Sequence, residues 1–292
     1  MSPPAYIKGG FFMSKEKEAN SISNARILTE CALMLAVGIV LSLVKIIDLP
    51  YGGSVTVASM LPVILISYRH GVKYGLLTGL AYGIIQQLLG LKSLSYVTTW
   101  VSVIAVILLD YIIAFAVIGF GGTFRKIIKS QPIALVVGTI FACLLRYACH
   151  VISGATVWAG LSIPTNAALI YSFGYNATYM LPETIVTVVL AYYIGSLIDF
   201  RNPTIRHMAQ TEKTKIPLLK WTGGLALAAG LIVDVSCIFP HLQNPESGKF
   251  DFSGLASVNW MVVIIATVAA ALIAAIAFGI IYIKKNKQAK EA

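Results

Sequence analysis

Residues 100–120 read WVSVIAVILLDYIIAFAVIGF, a run in which Asp110 is the only charged side chain. A helix needs about 20 mainly apolar residues to cross the hydrocarbon core, where no water can satisfy backbone N–H and C=O groups. This stretch meets that length. Its apolar run is continuous, unlike the alternating strands of an outer-membrane barrel. Similar runs recur in both directions, and eight spans are expected near 27–47, 55–68, 74–91, 95–120, 133–153, 174–198, 219–239 and 258–283. The second is short, bounded by Gly52-Gly53 and Arg69-His70-Gly71, as suits a tilted, protein-buried or re-entrant segment. The composition agrees: 58% of the residues are hydrophobic, 12% are charged, and the mean hydropathy is +0.82. A soluble domain carries roughly 25% charged residues. The expected class is an all-α integral membrane protein.

The net charge of +10 lies in short clusters between apolar runs and not on one folded face, which suits a membrane surface better than nucleic acid. Cytoplasmic segments collect Lys and Arg. Lys8, Lys15, Lys17 and Arg26 precede the first span; Arg69 and Lys73, then Arg125, Lys126 and Lys129, follow the second and fourth. Arg201, Arg206, Lys213, Lys215 and Lys220 follow the sixth, and Lys284, Lys285, Lys287 and Lys290 follow the eighth. Only Lys45, Lys92 and Lys249 fall outside, with Arg146 inside a span, so both termini are expected in the cytoplasm. The hydrophilic stretch Asp199–Pro217 is the best linker. It divides the chain into a cytoplasmic segment 1–25, a six-span unit 26–200, a linker 201–217, a transmembrane hairpin 218–283 and a basic tail 284–292. The hairpin, Ala-rich over Ala266–Ala277, reads as an added packing or assembly element. Met13-Ser-Lys-Glu-Lys resembles a natural start. The first apolar run is too long for a cleaved signal. Cys31, Cys143, Cys149 and Cys237 lack metal or disulfide spacing and read as small buried hydrophobes, so no metal site or cofactor is expected.

An ionisable group inside a span is expensive and is a functional candidate by default. Asp110 lies in the fourth span, Arg146 and His150 in the fifth, and Glu183 in the sixth. One reading is structural, with Arg146 pairing with Asp110 or Glu183 so that the bundle can insert. The other is a pocket. Arg146 and His150 are four residues apart on one helical face, a stripe that Gly154 continues toward Trp158. Tyr171, Tyr175 and Tyr179 also recur every four residues, with Asn176 beside them, and Tyr96 and Trp100 stand before Asp110-Tyr111. A carboxylate, an imidazole, an amide and several aromatic faces suit a flat heteroaromatic cation, to which cation–π attraction contributes about 2 kcal/mol when desolvated.

Three stretches carry a family resemblance: LLDYIIAF around Asp110, RYACHVISGATVW from Arg146 to Trp158, and YSFGYNATYMLPE from Tyr171 to Glu183. Over roughly Ala25–Phe200 the chain resembles the thiamine-binding S-components of energy-coupling-factor (ECF) vitamin importers. The resemblance implies a six-helix S-component-like bundle whose vitamin pocket lies near the outer face of a bacterial cytoplasmic membrane. Asp110 would hold the aminopyrimidine ring, with His150, Trp158, Tyr171 and Asn176 lining the rest and Trp100, Tyr111 and Tyr51 as further contacts. The family often carries Glu at the position of Asp110, and the last two spans depart from its six-helix pattern. Thiamine would be the ligand. A transmembrane coupling protein and two ATPase subunits would be the partners, docking at Ala32 and Ala36 of the first span, whose spacing allows close helix approach. The chain has no GxxxxGK[ST] phosphate loop, HExxH or GxSxG, so no ATPase or enzyme activity of its own is expected. Alternatives are an S-component for another vitamin, or a proton-coupled secondary transporter using Asp110, His150, Arg146 and Glu183 as a relay.

Overall fold

A computed structural model describes residues 23–49, 53–158, 165–207, 217–242 and 252–291. Helix α1 spans Asn24–Leu43, and the Ser23 hydroxyl caps it by accepting from the Arg26 N–H at 3.3 Å. Strands β1 (Lys45–Asp48) and β2 (Ser54–Thr56) then pair antiparallel. The sequence reading assigned these residues to the ends of two helical spans. Their β-branched Ile46, Ile47, Val55 and Thr56 favour the extended backbone once a partner strand is available.

Helix α2, Leu61–His70, has Pro62 in its first turn, where a missing N–H costs nothing. Its 10 residues cover about 15 Å, half of a hydrocarbon core. Leu61 to Arg69 are all buried. The short second segment is therefore enclosed by protein instead of crossing lipid by itself. Around it stand α3 (Val72–Leu89), α4 (Trp100–Arg125), α5 (Gln131–Thr156) and α6 (Asn166–Leu197). Beyond them come the short strands β3 (Ile198–Asp199) and β4 (Arg206–His207), then α7 (Pro217–Ile238) and α8 (Trp260–Glu291).

Among the described residues, α1, α4, α5, α6 and the Trp260–Ile281 portion of α8 are long and apolar enough to cross a membrane; Thr222–Ile238 is a shorter apolar stretch. Leu28, Leu33, Val37 and Val40 of α1 and Ile264, Ile265 and Leu272 of α8 are exposed, as lipid-facing side chains are. The protein is a multi-pass helical membrane protein.

Tyr68, Tyr82, Met60, Ile64, Ile118 and Leu135 fill the core of the bundle. Where α3 crosses α4, a Cβ at Gly119 would run into the backbone of Gly75 and Leu76. The Ser67 hydroxyl of α2 fits beside this crossing, donating to the Gly119 carbonyl and accepting from the Gly122 N–H at 2.8 Å. Backbone contact of this kind is how helices associate where apolar side chains gain nothing over lipid.

At the end rich in basic residues, buried Arg69 gathers three elements. Its Nε donates to Glu30 Oε2 at 2.6 Å, and its two terminal nitrogens donate to the carbonyls of Asn202 and Pro203, each at 2.8 Å. His70 Nε2 also meets Glu30 Oε2 at 2.7 Å. Glu30, an acid inside the first apolar run that the sequence reading passed over, is thus a structural partner of the Arg69 turn. In the terminal hairpin, Thr267 Oγ1 donates to Asp234 Oδ2 at 2.7 Å, and a Cβ at Gly230 would lie 2.6 Å from Ala270 Cβ. Asp234 is a further acid within an apolar helix that sequence reasoning did not single out.

Candidate functional site

The site lies toward the end of α5 remote from the Arg69 turn, His150 being 19 residues after Gln131, or about 28 Å along the helix. Helix α4 brings Asp110 to it through a widened π turn over Ile107–Ile113, a feature frequent at functional sites because it re-aims side chains within a straight helix. Asp110 Oδ1 lies 3.0 Å from His150 Nδ1. Its Oδ2 accepts from Ser153 Oγ at 2.7 Å and from Trp158 Nε1 at 3.0 Å. One carboxylate therefore gathers three side chains of the α5 end. Among the described residues, no Lys or Arg nitrogen lies within 4.0 Å of it.

Arg146 stands one turn before His150 and donates from Nε to His150 Nε2 at 3.3 Å. Its guanidinium carbon lies 4.2 Å from the centroid of the Phe115 ring, and Nη1 reaches Met60 Sδ at 2.9 Å. Neither ion pair considered from the sequence, with Asp110 or with Glu183, forms within 4.0 Å among the described residues. The cation is held by an aromatic face, a sulfur and an imidazole nitrogen instead.

Helix α6 closes the other side. Asn176 Nδ2 donates to the Ser172 carbonyl at 2.8 Å and to the His150 carbonyl at 3.2 Å, while its Oδ1 accepts from the Tyr179 hydroxyl at 2.6 Å. Gly154 makes this approach possible, because a Cβ there would strike the Ser172 hydroxyl. Tyr171 stacks on Tyr175 at 6.0 Å between centroids, Tyr175 meets Tyr179 edge-on at 6.3 Å, and Tyr179 meets His150 edge-on at 5.9 Å. The stripe of tyrosines is thus a continuous run of rings leading to the imidazole. Trp158 also has Tyr96 beside it, with centroids 6.4 Å apart.

The other sequence-derived candidates lie apart from this cluster. Trp100 is 75% exposed and sits ten residues before Asp110, about 15 Å along the helix. Tyr111 stacks on Phe115 and brings its hydroxyl to Ser93 Oγ at 3.0 Å, leading away from Asp110 toward the end of α3. Tyr51 lies outside the described residues. Glu183 is buried and accepts from both the backbone N–H and the hydroxyl of Thr56, fastening β2 to α6 instead of facing Asp110. Ala32 and Ala36 are exposed on the outer face of α1. Ser153, absent from the sequence-derived set, was legible as the residue three after His150 on the same helical face.

The chain that carries this cluster is similar to known proteins over the same region. Residues 28–199 match the family model described as thiamine transporter protein (Thia_YuaJ). The chain belongs to this thiamine transporter family. The matched region holds every residue of the cluster and ends just after α6, leaving α7 and α8 outside it. The chain is 39% identical over 174 residues to the thiamine transporter ThiT of Bacillus subtilis (strain 168), covering 56% of this chain and 86% of that protein. A solved structure of ThiT from Listeria monocytogenes aligns at 25% identity over 58% of this chain and 92% of its own, with a TM-score of 0.47.

Proposed function

We propose that this protein is the thiamine-binding subunit of an ATP-driven, ECF-type vitamin importer in a bacterial cytoplasmic membrane, with no ATPase activity of its own. The observation that carries the reading is Asp110: a carboxylate inside an apolar helix, held by three donors and paired with no Lys or Arg among the described residues. An intramembrane charge costs a few kcal/mol even on insertion scales, so its retention needs a use. A cationic heteroaromatic ligand supplies one, with Trp158 and the line from Tyr171 to Tyr179 offering ring faces. On this reading residues 26–200 form the binding unit, linked through 201–217 to the hairpin 218–283, with the segment 1–25 and the tail 284–292 in the cytoplasm. The hairpin is an added packing or assembly element. Energy comes from a transmembrane coupling protein and two ATPase subunits, which dock on the exposed Ala32–Ala36 face of α1.

Binding of thiamine to the detergent-purified chain, followed by quenching of tryptophan fluorescence, tests the reading. Saturable quenching by thiamine without a comparable response to riboflavin or biotin is expected. A folded preparation that responds equally to all three, or to none, would overturn it. The contiguous Arg146–His150–Asp110 chain favours one second reading, a proton-coupled carrier. Uptake by the chain alone in liposomes under a pH gradient would select it.

A further inference from the structure

We propose that Arg146 is a positioning residue that holds His150 neutral, with its proton on Nδ1, and so keeps the Asp110 charge available to a cationic ligand. This deepens the thiamine-binding reading and rests on it for the nature of the ligand. The argument comes from donor and acceptor inventories. An arginine nitrogen can only donate, so His150 Nε2, 3.3 Å from Arg146 Nε, must be the accepting nitrogen. An ionised carboxylate can only accept, so Nδ1, 3.0 Å from Asp110 Oδ1, must carry the proton. Both ring nitrogens are then spoken for, and a second proton has no place unless the Arg146 bond breaks.

Without Arg146 the outcome would reverse. His150 is buried beside a carboxylate, and a free Nε2 would let it protonate and form an internal ion pair with Asp110. That pair would cancel the charge that a ligand cation needs. The other groups around the imidazole do not substitute for Arg146. From α6 it meets the edge of Tyr179 and the Asn176 amide, which donates to its carbonyl. Asp110 on α4 is further held by Ser153 and Trp158 of the α5 end. Beyond these, among the described residues, Tyr111 of α4, Cys143 and Cys149 of α5, Tyr175 and Glu183 of α6 and Tyr82 of α3 are the ionisable groups in electrical reach of the cluster, and both Glu183 oxygens are bound to Thr56. Arg146 is the cation of the group among the described residues, and its pairing with Phe115 and Met60 fixes where its Nε points.

The test is the protonation state of His150 in full-length protein labelled with ¹⁵N-histidine, in detergent, from pH 8 to pH 5. The sequence holds four histidines, and the His150 resonances are assigned by their loss in His150→Gln. The parent should show a neutral ring protonated at Nδ1 throughout, and thiamine affinity within about twofold between pH 7.5 and 5.5. In Arg146→Met, which keeps the apolar contact with Phe115, His150 should take up a second proton within this pH range, and thiamine affinity should fall about tenfold by pH 5.5 as the competent fraction falls. A parent ring protonated at Nε2, or the same His150 titration in parent and Arg146→Met, would overturn the proposal. The parent tautomer decides the matter even where the variant does not fold. A parent with the Nδ1–H ring that binds no thiamine at any pH would retire the thiamine reading while leaving the role of Arg146 standing.

Discussion

Asp110→Asn removes one charge, but the surrounding donors make it a larger change than that. The parent carboxylate accepts from His150 Nδ1 on one oxygen and from Ser153 Oγ and Trp158 Nε1 on the other. An amide has one accepting oxygen and one donating nitrogen. Placed with its oxygen toward Trp158, it turns its NH₂ onto His150 Nδ1, which then gives up its proton and becomes Nε2–H, facing the Arg146 Nε–H. Placed the other way, it turns its NH₂ onto the Trp158 indole N–H, which has no accepting form. Either orientation leaves one buried donor opposite another, costing about 1–3 kcal/mol. The lost attraction for a ligand cation adds to this, and thiamine affinity should drop by at least a hundredfold, about 2.7 kcal/mol. Fluorescence titration of parent and variant in detergent reads the affinity, and a thermal melt of the ligand-free proteins reads the donor conflict. A variant that binds thiamine within twofold of the parent and melts at the same temperature would refute the reasoning at both steps.

Three other outcomes are expected. Glu183→Ala should lower thermal stability by about 2–3 kcal/mol because the buried Thr56 N–H and hydroxyl lose their acceptors, whereas Glu183→Gln, whose amide can accept from the N–H and donate to the hydroxyl, should cost less than half of that; equal losses would show that the bonds to Thr56 are not the reason. Arg69→Leu should destabilise the protein by about 3 kcal/mol, measured by melting in detergent, because the part-buried Glu30 keeps only Arg26 and His70 while the carbonyls of Asn202 and Pro203 lose a donor. Ala32→Trp with Ala36→Trp should abolish ATP-dependent uptake in cells and leave thiamine binding to the purified subunit unchanged; uptake at the parent rate would remove this face of α1 from the docking surface.

The long helices were legible because an apolar run in lipid has almost no alternative to helix, so α1, α4, α5 and α6 lie close to the expected spans. The grouping on α5 was legible for a related reason: Arg146, His150 and Gly154 fall at successive four-residue steps, which a regular helix keeps on one face, and Trp158 follows just past the helix end. Ser153 fell outside the reading because serine in a membrane helix commonly bonds to its own backbone, and its partner, Asp110, is 43 residues away in sequence. Trp100 and Tyr111 entered as candidates through their nearness to Asp110 in sequence and the family resemblance, but Trp100 lies about 15 Å along the helix and the Tyr111 hydroxyl turns to Ser93 instead. The β1–β2 hairpin was hidden because seven strand residues hold too few alternations to contend with the apolar runs on either side. Asp234 and Glu30 went unremarked although each is an acid within an apolar run, the same signal that drew attention to Asp110.

The widened turn in α4 has a consequence for how related chains are to be compared. A turn that holds one residue more than an α-helical turn stores a register offset of about 100° between the two halves of the helix. Loss of a single residue between Ile107 and Ile113 would let the turn tighten and would swing Trp100 to Val106 around the axis, while Asp110 kept its place against His150 and Trp158. The same loss in the connection between α4 and α5 would be absorbed by the chain. Gaps in an alignment across this helix therefore belong inside the wide turn. A relative one residue shorter there would present a different set of side chains above its carboxylate even at high overall identity.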